Sequence, residues 1–313
     1  MFRFLARRLA SGIVLLALVT TLTFALIFGA TENVAQNILG ENATDAQIAA
    51  FETRMGLDQP LPVQFAAWVR GAVQGDLGQS WTMGERVSRI LAGRLPVTLS
   101  MVSAAVLLIA GTSALLGIVA AVRGGWADRV IQILSVVGFA MPNFWLGLIL
   151  VVIFSLTLRW LPATGYVAFT QSPTGWAAAL TLPVAALVIS GIASASQQVR
   201  GAMIDALRQD YVRTLRARGL GERSILFRHA LRNAMPAALT VLAVQFIALL
   251  GGAAVVERVF AIPGLGSLTV QASLSGDVPV LMGVVVTMIV LVVLVNILID
   301  VLNAWVNPKV RLS

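Results

Sequence analysis

The chain has no cysteine and a single histidine, His229. The first absence excludes a disulfide framework, a cysteine metal site and a thiol nucleophile, and the second excludes chemistry built on a histidine cluster. Charge is scarce as well. Only 12% of the 313 residues are charged, whereas 58% are hydrophobic, which is more apolar surface than water could cover in a soluble domain of this length. The Gly-x-x-x-x-Gly-Lys phosphate loop is also missing, so the chain does not bind and hydrolyse ATP itself. The solvent such a composition requires is largely lipid. A formal charge of +8 could suggest nucleic acid, but in a membrane protein it follows from an excess of Lys and Arg in cytoplasmic loops, and no nucleic-acid partner is expected.

A bilayer-spanning helix needs about 20 mainly apolar residues. Six stretches qualify, at roughly 9–30, 97–121, 130–156, 177–196, 236–257 and 279–305. Charged residues inside them are few and sit near their ends, as Glu257 and Asp300 do, because an unpaired charge at mid-bilayer costs at least about 2.5–3.5 kcal/mol. Phe2 to Arg8 followed by an apolar run imitates a signal peptide, yet the run is too long and no small-x-small cleavage site is clear, so it reads as a retained first helix. Fifteen of the 22 basic residues fall in the N-terminus, the 122–129 loop, the 197–235 loop and the C-terminus. By the positive-inside rule these parts, and hence both termini, face the cytoplasm.

Three regions follow: residues 1–30 with the first span, an extracytoplasmic segment 31–95, and a five-helix core 96–313 containing the cytoplasmic loop 197–235. The outer segment is too long for a bare connector, so short helices are expected in it. Asn42 to Met55 reads as one, capped by Asn42 or Thr44 and stopped by Gly56. Val63 to Val73 reads as a second, amphipathic piece with Pro62 near its start. Trp81 and Trp160 near outer boundaries fit an aromatic belt.

The 197–235 loop holds eight arginines beside Asp205, Asp210 and Glu222. Leu207, Tyr211 and Leu215 recur at i, i+4 and i+8 and share one helical face, with Arg208, Arg213 and Arg216 round the other side. Gly219 supplies a stop, after which Gly221-Glu222-Arg223-Ser224 can begin a second helix at an angle. A helix, a glycine elbow and a helix make a knob suited to a groove on another protein. Arginine-rich inner loops also serve simply to fix topology and to meet anionic lipid.

At this point the chain strongly resembles the permease subunits of binding-protein-dependent ABC importers, in the dipeptide, oligopeptide and nickel branch. Asp210-Tyr211-Val212-Arg213-Thr214-Leu215-Arg216-Ala217-Arg218-Gly219-Leu220, continuing through His229-Ala230-Leu231-Arg232-Asn233-Ala234-Met235-Pro236, is similar to that branch's ATPase-docking loop. The resemblance extends over nearly the whole chain. It includes Gly56-Leu57-Asp58-Gln59-Pro60, Gly75-Asp76-Leu77-Gly78, Arg94-Leu95-Pro96-Val97-Thr98-Leu99, Pro142 with Phe144-Trp145-Leu146-Gly147, Leu161-Pro162-Ala163-Thr164-Gly165-Tyr166, and Glu257-Arg258-Val259-Phe260 with Pro263-Gly264-Leu265-Gly266. The general permease signature departs in two places: Arg213-Thr214-Leu215 stands where Glu-Ala-Ala is common, and Leu231-Arg232 where Leu-Pro is.

The resemblance implies an all-α polytopic fold with six transmembrane helices, similar to type I ABC importer permeases. It implies a non-catalytic subunit forming half of the pathway of an ATP-driven peptide importer. The partners would be a second homologous permease, two ATPase subunits that carry the ATP and Mg, and an extracytoplasmic substrate-binding protein; this chain would hold no cofactor and no metal. The coupling residues it implies are Asp210, Tyr211, Arg213, Thr214, Arg216, Ala217, Gly219 and Leu220, then Arg223, His229 and Asn233. His229 itself reads as a packing residue rather than an acid-base group.

The small residues Ala248, Gly251, Gly252, Ala253 and Ala254 suit either close packing within the subunit or a wall of the pathway against the second permease. Glu257 is grouped with that wall. As boundary carboxylates, Glu257 and Asp300 are expected to be solvated or paired, for instance with Arg258; as ion-coupling groups they would instead mark a secondary carrier. A nickel-chelate importer is the alternative within the same branch.

Overall fold

The computed structural model describes residues 2–30, 34–40 and 42–306. Ser313, expected on the cytoplasmic side, lies outside them. Among the described residues every element is helical, apart from one isolated antiparallel bridge between Gln79 and Arg86. In chain order these are α1 (Phe2–Ala30), α2 (Val34–Leu39), α3 (Asp45–Met55), α4 (Leu61–Val73), α5 (Val87–Arg123), α6 (Gly125–Ala140), α7 (Asn143–Leu150), α8 (Pro173–Arg208), α9 (Asp210–Ala217), α10 (Glu222–Ser224), α11 (Leu231–Val259), α12 (Leu265–Ser275) and α13 (Val278–Val306). Two π-helical turns extend this set, Val151–Thr157 after α7 and Ile225–Ala230 between α10 and α11.

Among the described residues five helices are long and apolar enough to cross a membrane, and α6 with the α7 segment makes a sixth span if the bent pair is taken as one. Here the structure corrects the sequence reading. The stretch 130–156 is not one continuous helix; its two halves meet at 98°. The cause is local. Pro142 disfavours helical geometry in the residue before it, and Met141 accordingly adopts φ −89°, ψ 124°. Pro142 then starts α7 without the loss of a helical hydrogen bond.

The chain divides into two compact units, one from Leu99–Ile262 with the chain from Leu294 onward, the other from Phe2–Thr98 with Pro263–Val293. In the first, α8 is the central element and packs against α6, α7 and α11. Lipid offers no hydrophobic drive for helices to associate, so close backbone approach and dispersion take its place. Glycines permit that approach. A Cβ at Gly117 would lie 2.8 Å from Val199 Cβ, and one at Gly147 would lie 2.9 Å from the ring of Phe260. Phe260, buried, ends α11, and its carbonyl accepts the Gly165 amide at 2.8 Å.

In the second unit, Val87, Ile90 and Leu91 of α5 pack with Leu265, Leu268 and Ala272 of α12 and with Val280 and Val284 of α13. Phe24, Val278 and Met282 form a second cluster with Phe65, Trp68 and Trp81. The short helices of the 31–95 segment match the expected signals. Thr44, rather than Asn42, caps α3 through a capping box with Gln47, and Gly56 ends it at φ 70°. Pro62 lies in the first turn of α4. The fully buried Asp277 carboxylate accepts hydrogen bonds from the Ser80 and Thr82 hydroxyls, with the Thr82 amide at 3.2 Å. Those bonds compensate a charge that burial would otherwise disfavour.

Candidate functional site

The 197–235 loop is built in three pieces. α8 ends at Arg208, and Gln209 turns extended at φ −66°, ψ 149°. Leu207, Tyr211 and Leu215 therefore do not lie on one continuous helix, as their spacing suggests. The side chain that α9 buries is Val212, while Tyr211 and Leu215 are half-buried. Asp210, Arg213, Thr214, Arg216 and Ala217 are exposed. The ion pair between Asp210 and Arg213, at 3.7 Å on a wet surface, adds little.

Gly219 stops α9 as expected, at φ 77°. Its amide donates to the Arg216 carbonyl at 2.9 Å and that of Leu220 donates to the Leu215 carbonyl at 3.2 Å. This pair of bonds is the Schellman arrangement, which satisfies carbonyls that a helix end leaves open. Gly221 begins the next helix, and the Arg216 guanidinium reaches across the elbow to both Glu222 oxygens at 2.7 and 3.2 Å. The hydrogen bond from Arg216 holds the Glu222 carboxyl below its usual range, and Glu222 reciprocally raises Arg216. Both groups lie in the loop, ahead of the apolar stretch 236–257.

The second helix begins where expected but extends far beyond the loop. It runs from Glu222 through the π turn into α11 as far as Val259. The elbow is thus joined without interruption to the fifth span. Ile225, Ala230 and Ala234 are buried on this helix. Ala230 and Ala234 pack with Val199, Met203 and Ala206 of α8. Arg223 and Asn233 are exposed, and His229 is half-buried in the π turn. Two side chains that the sequence did not single out brace the base of the knob. Arg200 of α8 grips Asp128 of α6 through two bonds of 2.6 Å, and the pair lines a cleft of about 360 Å³ with Arg208 and Arg216.

The residues expected at the pathway divide. Ala248 and Gly251 are exposed and a Cβ at Gly251 would meet nothing within 4 Å, whereas Ala253 is fully buried. Gly252 lies between these cases, 3.4 Å from Asn143 Nδ2 by the same measure. One face of the fifth span thus packs inside the subunit and the other is open. Of the two states expected for Glu257, solvated or paired, burial removes the first: it is 0% exposed. A cavity of about 460 Å³ opens where the third span breaks, bordered by Asn143, Ser190, Ser194, Gln245 and Ala248. The Ser190 hydroxyl donates to Asn143 Oδ1 there. These polar side chains come from three separate spans, and the sequence reading missed them; polar residues amid apolar runs were the available signal.

Comparison with known proteins bears on this geometry. The model of the binding-protein-dependent transport system inner membrane component matches residues 113–312, and that of the N-terminal region of such membrane components matches residues 1–102. A putative peptide transport system permease of Brucella abortus is 38% identical over 306 residues, covering 97% of this chain and 98% of that protein. A di/tripeptide transport system permease of Pseudomonas aeruginosa is 37% identical over 334 aligned residues and is covered to 99%, as is this chain. Among solved structures, the inward-facing MetNI methionine ABC transporter superposes with TM-score 0.57 at 17% identity, over 70% of this chain and 96% of that one, a likeness of fold. The six-span helical architecture, the helical 197–235 loop and matches over almost the full length lead to one conclusion: the chain belongs to the binding-protein-dependent transport system inner membrane component family of ABC permeases.

Proposed function

We propose that this chain is one permease subunit of an ATP-driven peptide importer, forming half of the pathway with a second, homologous permease. Near full-length similarity to peptide permeases supports the cargo class. Two partner ATPases would supply ATP and Mg and would grip the knob formed by α9 and the start of the following helix. A binding protein would deliver cargo from the outer side. The observation that carries this reading is the elbow, whose backbone is closed by the Gly219 turn and whose two sides are clasped by Arg216 and Glu222. A pull on α9 is therefore passed into a helix that runs the whole length of the fifth span, to Val259. Such a lever serves alternating access.

The test is Gly219→Val beside Gly201→Val. At φ 77° a β-branched residue is strained by roughly 1–2 kcal/mol, whereas Gly201 is helical with open space beside it. Gly219→Val should insert and pair with the second permease yet lose most ATPase co-purification and uptake, while Gly201→Val keeps both. Normal uptake in the Gly219 variant would return the arginine-rich loop to a mere topology signal. The proposed orientation has its own check in this cysteine-free chain. Asn42→Cys should react with an impermeant maleimide in intact cells, and labelling that requires permeabilisation would reverse the topology.

A further inference from the structure

The break in the third span has a consequence for cargo. Non-helical backbone at membrane depth is tolerated where it is buried in protein or lines a water-filled cavity. The Met141–Pro142 break borders the 460 Å³ cavity, and the polar groups around it are neutral amides and hydroxyls with no charged side chain among the lining residues. Asn143 and Ser190 satisfy one another in part. Ser194 and Gln245 have no side-chain hydrogen bond among the described residues. Each lies within an apolar stretch, where a polar group without a partner is costly. The Gln245 amide is also given room. Gly191 lies beneath it, and a Cβ there would stand 2.8 Å from Gln245 Nε2.

An amide presents one acceptor and two donors, which is the complement of a peptide bond's N–H and C=O. Neutral groups recognise that bond whatever the charge of the flanking side chains. Ala248 on the open face of α11 adds no bulk at the rim. We propose that Asn143, Ser194 and Gln245 form a subsite for the backbone amides of a passing peptide, with the principal contact made by Gln245 Oε1 accepting a peptide N–H. This deepens the peptide-importer reading and rests on it.

The experiment uses the complete reconstituted transporter with trialanine and a depsipeptide analogue in which an ester oxygen replaces the central N–H. Gln245→Met keeps length and apolar volume but removes the amide. Trialanine uptake should fall about tenfold, the worth of one well-formed hydrogen bond at a transition state, while the complex still co-purifies. Uptake of the depsipeptide, which lacks the N–H already, should fall much less. Equal losses for both cargoes, or no loss, would overturn the subsite and leave Gln245 a packing residue. Failure of the unmutated transporter to take up trialanine at all would instead remove the peptide reading on which the subsite stands.

Discussion

Two places where the chain turns sharply, the Gly219 elbow and the Met141–Pro142 break, are finished in opposite ways. At the elbow, open carbonyls are closed by the Gly219 and Leu220 amides, and the exposed carboxylate nearest the turn is gripped by Arg216. At the break, polar groups converge from three helices and two of them stay open to a cavity. A turn whose bonds are all internal behaves as a rigid part. A turn that leaves donors and acceptors unspent has something to offer a ligand. The difference suits a lever at one site and a surface in contact with cargo at the other.

The harshest way to break this comparison is Gly191→Val. Its side chain would collide with the terminal carbon of Ile109 and with the Gln245 amide inside a buried stretch of α8. Overpacking of that kind costs roughly 1–3 kcal/mol, so the thermal midpoint in detergent should drop by several degrees and uptake should be lost with it. An unchanged midpoint would mean that the helices around the break are far looser than their packing indicates.

A gentler probe sharpens the other side. Glu222→Gln removes the charge at the elbow but keeps the Schellman bonds, so the knob should stay folded with almost no change in midpoint, as exposed pairs contribute little. The pH dependence carries the signature. Because Arg216 lowers the folded-state pKa of Glu222, the pair stabilises at pH above the usual carboxylate value and its contribution fades as pH falls through the lowered one. ATPase association by the unmutated chain should weaken slightly in that acidic window, and the Glu222→Gln variant should not follow it. Identical acid limbs would show that the clasp carries no load.

Much of this was legible in one sequence. Span lengths follow from hydropathy, and the Thr44 and Gly56 caps and the Gly219 stop follow from residue chemistry that acts within a few positions. The break at Pro142 was not legible, because Pro96, Pro183 and Pro236 also sit in apolar or helical stretches and are carried inside helices without interruption. Nothing local distinguishes them; the neighbours that each helix packs against decide. Gln209 shows the same limit, since the Leu207, Tyr211 and Leu215 spacing is helical whether or not the backbone turns between them. The burial of Glu257 and the convergence of Asn143, Ser190 and Gln245 depend on contacts between distant spans, which periodicity does not encode.

The Asp277 carboxylate also sets a timetable. It holds Ser80 across 197 residues of chain, so the segment around Ser80 is synthesised long before its anchor exists. At about 5–20 residues per second, ribosomes need roughly 10–40 seconds to supply that anchor. Through that interval the Ser80 and Thr82 hydroxyls lack their final acceptor. A nascent chain stalled before residue 277 would leave that segment without this anchor, so the state of a loop made near the beginning reports whether the chain has been made as far as α13.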